Sequence, residues 1–247
     1  MKYSVIVPVY NEKSTIKEII RQIREVDLDK EIIIVDDGST DGTEDILKDN
    51  FSNQEDLQLI FLEKNHGKGF AIRKALEHVK GDIIIMQDAD LEYNPQDYKK
   101  LVKPILDGRV SVVYGSRFIN LNKFAYMCNW IRSKLSNTEC RIGHLYFSNF
   151  LGIQLLNFIV RILYGAKITD EATCYKVFKK EVINKINLKS IKFEFCPEIT
   201  AKVLKMGYKI VEVPISYYPR TTEHGKKIGA RDGLAAIITL IKYRFVN

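Results

Sequence analysis

Asp88-Ala89-Asp90 follows the apolar run Ile83-Ile84-Ile85-Met86. Two carboxylates one residue apart at the end of a buried strand cannot both point into the core. Left unpaired they repel each other and raise one pKa. A divalent cation removes that conflict. Hard oxygen ligands suit Mg²⁺ or Mn²⁺, which bind one or two carboxylates together with substrate phosphates. Glu92, two residues on, can add a ligand. The competing reading is a solvated turn in which Asp90 caps a helix. A second acidic cluster, Asp36-Asp37-Gly38-Ser39-Thr40-Asp41-Gly42, also follows an apolar run. Its glycines allow positive φ, and Ser39, Thr40 and Asp41 can cap the next helix. Capping leaves the adjacent Asp36 and Asp37 unexplained. One of them must face the site, where a carboxylate can accept hydrogen bonds from a base edge or ribose hydroxyls.

The elements that position these residues alternate regularly. Apolar or β-branched runs at 3–9, 31–36, 57–62, 82–87 and 110–114 read as strands. Residues 14–26, 43–50 and 68–80 read as helices, and Pro95 opens another that reaches 106. This alternation predicts a mostly parallel sheet covered on both faces. Ligands in such sheets bind beyond the carboxyl ends of the strands, where Tyr10-Asn11-Glu12, Asp36-Asp37 and Asp88-Ala89-Asp90 fall. Two other nucleotide folds are excluded. Gly67-Lys68-Gly69 has Ile72 where the third glycine of G-x-G-x-x-G belongs, and no G-x-x-x-x-G-K-[ST] is present.

Charge divides the chain. Residues 1–110 carry 16 basic and 22 acidic side chains; residues 111–247 carry 22 and 9. The formal net charge of +7 therefore averages a −6 half and a +13 half. A uniformly basic nucleic-acid binder has no such division, and the basic half predicts an anionic partner on one side. With 46% hydrophobic and 28% charged residues the chain is ordinary globular material. Its start lacks the long apolar run of a secretory signal. Cys128, Cys140, Cys174 and Cys196 have no C-x-x-C spacing, and they read as reduced thiols of a cytosolic protein. The four histidines form no H-E-x-x-H, which argues against zinc.

Taken together, Pro8-Val9-Tyr10-Asn11-Glu12, Asp36 to Thr43, Asn65-His66-Gly67-Lys68-Gly69 and Asp88-Ala89-Asp90 resemble the ordered motifs of inverting glycosyltransferases of family 2 with a GT-A fold. The nearest branch is that of dolichyl- or polyprenyl-phosphate mannose and glucose synthases. The resemblance continues through Gly115-Ser116-Arg117-Phe118, Asp170-Glu171-Ala172-Thr173-Cys174-Tyr175-Lys176, Glu212-Val213-Pro214-Ile215 and Arg220…Gly225-Lys226-Lys227-Ile228. It implies a single GT-A domain over 1–247: a Rossmann-like, mostly parallel sheet, a nucleotide-sugar-binding half (1–116) and an acceptor-side half (117–247). It further implies that Pro8, Tyr10, Glu12 and Asp37 hold the nucleoside of a nucleotide diphosphate sugar. Asp88 then lies near the donor sugar and diphosphate. Asp90 holds Mg²⁺ or Mn²⁺, with Glu92 where relatives often carry Gln. Arg117, Arg220 and Lys226 or Lys227 meet the donor diphosphate or an acceptor phosphate, and Lys68 belongs to the donor site.

The acceptor stays open between two kinds. A polyprenyl phosphate is already an anion and needs placement rather than a strong base; Arg132, Arg141 and Arg231 are further candidates to place it, against an ordinary role as solvated charges. A sugar hydroxyl of a glycan or cell-wall precursor needs a carboxylate base, for which Asp170 or Glu171 is the candidate. Asp170 can instead orient Lys176 or an arginine. A non-catalytic nucleotide-sugar-binding subunit is the reading from another class, and the intact D-x-D argues against it. The Q-x-x-R-W motif of processive synthases is missing, since the one tryptophan is Trp130 in Asn129-Trp130-Ile131.

Residues 145–165 are strongly apolar but broken by Ser148, Asn149, Gln154, Asn157 and Arg161. They admit an interfacial helix over 145–164, a buried core helix or a span. Many lipid-phosphate synthases of this type end in transmembrane helices. Here the last apolar segment, 234–245, is too short to cross a bilayer. The expectation is a cytoplasmic protein, peripheral on the cytosolic membrane face, that reaches its lipid directly or through a membrane-embedded partner subunit.

Overall fold

A computed structural model describes residues 1–52, 54–119, 141–142, 145–220 and 230–246. Its centre is a seven-stranded sheet in the order β3-β2-β1-β4-β8-β5-β9. The strands are β1 (Tyr3–Val9), β2 (Lys30–Asp36), β3 (Leu57–Phe61), β4 (Ile83–Met86), β5 (Val112–Ser116), β8 (Lys176–Lys179) and β9 (Ile210–Pro214). A short ribbon of β6 (Arg141–Ile142) and β7 (Leu145–Tyr146) stands apart from it. β1 to β4 pair in parallel, as do β5 and β9. Their continuous apolar runs follow from burial on both faces. Ile32 to Val35 and Ile83 to Met86 are buried throughout.

Helices cover the sheet: α1 (Ile16–Glu25), α2 (Thr43–Phe51), α3 (Lys68–Leu76), α4 (Tyr98–Leu106), α5 (Phe147–Tyr164), α6 (Lys180–Ile183), α7 (Phe195–Lys205) and α8 (Ala230–Phe245). α1 shows why the pattern is legible: Ile16, Ile19, Ile20 and Ile23 lie on one face at helical spacing, and all are buried.

Register aligns the polar clusters. Val9 pairs with Asp36 and Ile6 with Met86, so segments 10–12, 37–39 and 87–90 leave the sheet at one edge. Strand β8, which the sequence reading passed over, sits mid-sheet and runs antiparallel to both β4 and β5. Four residues that begin and end on lysine carry no strong local signal, and long-range pairing decides their state. Its reversed direction has a functional result. The amino end of β8 lies beside the carboxyl ends of its neighbours, so the 170–175 segment joins the same edge as 87–90 and Arg117.

α5 combines two of the states open to it from sequence. Ile153, Leu156, Asn157 and Val160 are buried, while Leu151, Leu155, Phe158 and Ile162 are exposed. Its buried face joins Ile168, Ala201, Ala236, Leu240 and Tyr243 in a small second core with α7 and α8. Asn157 breaks the apolar run because it has work inside: its amide donates to the Thr169 carbonyl at 2.6 Å and its carbonyl accepts from Glu171 N–H at 2.9 Å. No helix among the described residues is long and apolar enough to cross a membrane. Cys174 and Cys196 are free thiols. Cys128 and Cys140 lie outside the described residues, as do Trp130, Arg132, Lys226 and Lys227.

Candidate active site

The turn after β4 is held from beneath. Gln87 is fully buried and accepts hydrogen bonds from Tyr98 OH at 2.7 Å and Tyr175 OH at 2.8 Å. Its amide donates to the Asp88 carbonyl at 2.9 Å. Asp90 Oδ1 accepts from Glu92 N–H at 3.1 Å, and Leu91 between them has φ of +62°. A positive φ at a non-glycine residue stores strain, which the surrounding structure must hold in place. The turn is therefore built and half-buried; the solvated-turn reading does not describe it.

Each acidic group here is engaged. Asp88 accepts from Lys68 Nζ, which the amino end of α3 delivers. Burial draws the Lys68 pKa down, but Asp88 beside it raises it above the ordinary lysine range. Asp90 Oδ2 accepts from Arg220 at 3.1 Å. Glu92 accepts from Arg220 N–H at 2.8 Å and from Tyr217 OH at 2.7 Å. Among the described residues no three His, Cys, Asp or Glu side chains converge on one metal position. The donor set is still that of a hard cation completed by substrate phosphates: half-buried carboxylates in mutual repulsion.

That repulsion is visible in Asp90. Desolvation first, then Asp88 and Glu92, push its carboxyl from 3.8 up to about 7, against the pull of Arg220. A folded pKa above the unfolded value means that the charged form destabilises the fold. The penalty is absent below the unfolded pKa of 3.8, grows as pH rises towards about 7, and is constant above that. A divalent cation bound at Asp90 would relieve it. Thermal stabilisation by Mn²⁺ or Mg²⁺ is therefore expected to be slight at about pH 5 and to level off above about pH 7. Melting curves across that range check this; equal shifts at both ends would place the cation elsewhere.

The resemblance puts Arg220 at the donor diphosphate or an acceptor phosphate and Glu12 at the nucleoside. Here they face each other. The guanidinium donates to both Glu12 oxygens, at 3.0 and 3.2 Å, in addition to Asp90. Its Nε–H is buried without a hydrogen-bond partner among the described residues.

Arg117 and Asp170 form a second fork. Arg117 Nε and Nη2 each donate to Asp170 at 2.7 Å, and its backbone N–H adds a third bond at 3.0 Å. Side-chain exposure is 8% for Arg117 and 0% for Asp170. Burial disfavours the charged guanidinium, but Asp170 holds its pKa well above the ordinary arginine value, so the charge is permanent. The guanidinium lies over the Tyr217 ring, 4.9 Å from its centroid. Of the partners open to Asp170 from sequence, the structure selects the arginine. Lys176 Nζ bonds the Glu171 carbonyl at 2.6 Å instead. Glu212 on β9 places the whole loop by accepting from the N–H groups of Thr169 and Asp170 at 2.8 to 3.0 Å.

At the end of β2, Asp37 uses both oxygens on backbone N–H groups, His66 at 2.8 Å and Gly67 at 2.6 Å. Asp36 Oδ1 takes the Ser39 hydroxyl at 2.5 Å and its N–H at 3.1 Å, while Oδ2 is buried with no hydrogen-bond partner among the described residues. Gly38 between Asp37 and Ser39 has φ of +69°, and a Cβ there would stand 2.5 Å from the Lys64 backbone. Pro8 and Tyr10 lie half-buried where β1 leaves the sheet. Residues that the sequence reading passed over are Gln87, Tyr93 and Tyr217. Tyr93 packs edge-on to Tyr217 at 5.2 Å and accepts from Cys174 N–H at 3.2 Å. A glutamine closing an apolar strand was the available signal for Gln87; the tyrosines carried none.

Known proteins are similar to this chain in sequence and fold. The model of the family described as glycosyl transferase family 2 matches residues 4–186. Glycosyltransferase AglJ of Haloferax volcanii is 28% identical over 97% of this chain and 70% of its own length. A dolichol-phosphate mannosyltransferase of Pyrococcus furiosus is 28% identical over 93% of this chain, which spans 60% of that protein. Among solved structures, glucosyl-3-phosphoglycerate synthase from Mycobacterium tuberculosis, in complex with Mn²⁺, uridine diphosphate and phosphoglyceric acid, superposes with a TM-score of 0.71 at 18% identity. That comparison covers 100% of this chain and 79% of the other, and shows that the fold is GT-A. With a family match over most of its length and a sheet whose carboxyl edge gathers the family's motifs, the chain belongs to glycosyl transferase family 2 and is a glycosyltransferase that draws on a nucleotide sugar.

Proposed function

We propose that the enzyme transfers a hexose, with inversion, from a nucleotide diphosphate sugar of the GDP-mannose or UDP-glucose type to a polyprenyl or dolichyl phosphate. The observation that carries this reading is the state of Asp170. Both of its oxygens are held by Arg117 and it has no exposure, so it is poorly placed to take a proton from a sugar hydroxyl. Glu171 is equally buried. A phosphate monoester needs no such base. Its oxygen attacks the anomeric carbon, the bond to the nucleoside diphosphate breaks, and one displacement inverts the centre.

In that reading Glu12, Asp36 or Asp37, Pro8 and Tyr10 bind the nucleoside. Asp90, with Asp88 and Glu92 beside it, holds Mg²⁺ or Mn²⁺, which supplies charge neutralisation at the leaving diphosphate. Arg117 offers a fixed positive charge one tyrosine away from Glu92. Such charge favours the transition state because negative charge grows on the leaving group. Lys226 and Lys227 extend the cationic set in sequence.

Two helices support a peripheral position on the cytosolic membrane face. α5 exposes Leu151, Leu155, Phe158 and Ile162, and α8 exposes Leu234, Ile238, Ile241 and Phe245. Both stripes repeat at helical spacing, and the opposite faces of the two helices share the second core. Arg161, Lys167, Arg231, Lys242 and Arg244 are exposed around them, which suits anionic lipid headgroups. Burying each large apolar side chain is worth about 1.5–3 kcal/mol. Phe158→Glu with Ile238→Glu is expected to weaken binding to phosphatidylglycerol vesicles by about 100-fold or more. Unchanged binding in a sedimentation assay would leave both stripes without a membrane role.

Extraction after incubation with labelled GDP-mannose or UDP-glucose, polyprenyl phosphate and Mn²⁺ tests the reaction. Label in the organic phase is the expected result. Label only in water-soluble glycan would move the acceptor to a sugar hydroxyl, and nucleotide-sugar binding without turnover would make the chain a binding subunit.

A further inference from the structure

We propose that Arg220 is a resident cation of the donor site. It occupies carboxylates that a divalent metal and a nucleoside need, and thereby makes metal and nucleoside diphosphate bind as a coupled pair. The inference rests on the donor reading above and adds to it a coupling between the ligands.

The geometry is that of a placeholder. One planar guanidinium bridges Glu12, at 3.0 and 3.2 Å, and Asp90, at 3.1 Å, with Glu92 at 4.0 Å from Nε. Asp90 Oδ1 is already engaged by the Glu92 N–H, so Oδ2, the oxygen facing Arg220, is the one open to a metal. A metal bound there at the usual 2.0–2.2 Å would stand no more than about 5 Å from the guanidinium nitrogen. Two cations at that spacing, in a half-buried site, repel strongly. Metal alone therefore has to displace Arg220 and strand it.

The seat is also incomplete. Arginine presents five donors in a rigid fork, and a buried fork in its final position uses them. Arg117 places its Nε–H on Asp170, whereas the Nε–H of Arg220 has no hydrogen-bond partner among the described residues, Glu92 standing 4.0 Å away. The backbone at Arg220, by contrast, is pinned. Its N–H bonds Glu92 at 2.8 Å, Tyr218 N–H bonds the Glu92 carbonyl at 2.8 Å, and Tyr217 OH bonds the Glu92 side chain. Release thus needs only rotation of the side chain about a fixed Cα.

A diphosphate changes the balance because bidentate contact with phosphate oxygens suits the guanidinium fork. Drawing Arg220 onto the diphosphate takes its two bonds off Glu12, which keeps the Thr15 hydroxyl at 2.9 Å, and at once opens Asp90 Oδ2 to the metal. Linkage makes the effect reciprocal: if the diphosphate tightens metal binding, metal tightens diphosphate binding equally.

The test is direct Mn²⁺ titration of the full chain, read by the electron paramagnetic resonance of free Mn²⁺, alone and with UDP or GDP. Wild type is expected to bind Mn²⁺ weakly alone and tightly with a nucleoside diphosphate. Arg220→Gln is expected to bind Mn²⁺ alone about 10-fold more tightly than wild type, within the usual span of coupling factors, and to gain less from the nucleotide. Glu12→Gln with Arg220→Gln keeps the buried charges balanced and should show the same gain if the single variant folds poorly. Arg220→Lys, which keeps the charge, should stay near wild type. If neither glutamine variant binds Mn²⁺ alone more tightly than wild type does, while wild type binds it with UDP or GDP, this inference fails and the donor reading stands. If no form takes up Mn²⁺ even with UDP or GDP, both fail.

Discussion

Asp90→Asn is expected to abolish metal-dependent sugar transfer while leaving the protein as stable as wild type or more so. The two effects have one cause. Asp90 is desolvated and lies beside Asp88 and Glu92, which push its carboxyl up to about 7. At neutral pH the folded chain therefore carries part of that charge at a cost, and a neutral amide of the same shape removes it. Arg220 keeps its two bonds to Glu12. The expected change in stability lies between none and a gain of about 2 kcal/mol, since neighbouring groups and solvent screen the full shift. Loss of a metal anchor is expected to lower kcat by about 1000-fold, comparable to losing a main electrostatic contact to the transition state. Parallel melting and turnover measurements check both halves. Retained turnover would remove Asp90 from the metal site, and a large drop in stability would mean that the carboxylate is structural.

Asp170→Asn is expected to behave in the opposite way and cost the fold first. It leaves the Arg117 charge buried without its partner, at 8% exposure. Breaking a buried pair from one side costs about 3–5 kcal/mol. For a chain of this size that lowers Tm by about 10 °C. Arg117→Met combined with Asp170→Asn removes both charges and should recover most of the stability without restoring turnover. The single and double variants together separate the two roles that the sequence leaves open. A general base would cost activity with little change in Tm, and the double variant would be no more stable than the single.

How much was legible before the structure depends on how local each signal was. The strands at 3–9 and 31–36 and helix α1 were readable because burial imposes periods of two, of continuous apolarity or of 3.6 on the chain itself. The acidic clusters at 36–37 and 88–90 were readable because a carboxylate pair at the end of an apolar run needs an explanation wherever it occurs. Strand β8 was not, since its four residues are extended only because β4 and β5 pair with them from both sides. α5 was half legible. Its polar breaks are visible in sequence, but Asn157 turns inward because Thr169 and Glu171 lie there, and no local pattern predicts that.

The sequence alone determined the family, the sheet's parallel half and the residue types at the site. These follow from motif spacing and from periodicities that each segment carries by itself. Partnership was decided only by tertiary structure. Arg117 meets Asp170 across 53 positions, Lys68 meets Asp88 across 20, and Arg220 meets Glu12 across 208. Charge pairing acts through distance in space and burial, and neither is a property of a segment. The antiparallel insertion of β8 made the difference, because it carries Asp170 to the edge where β4 and β5 end and turns a candidate base into the anchor of a buried arginine.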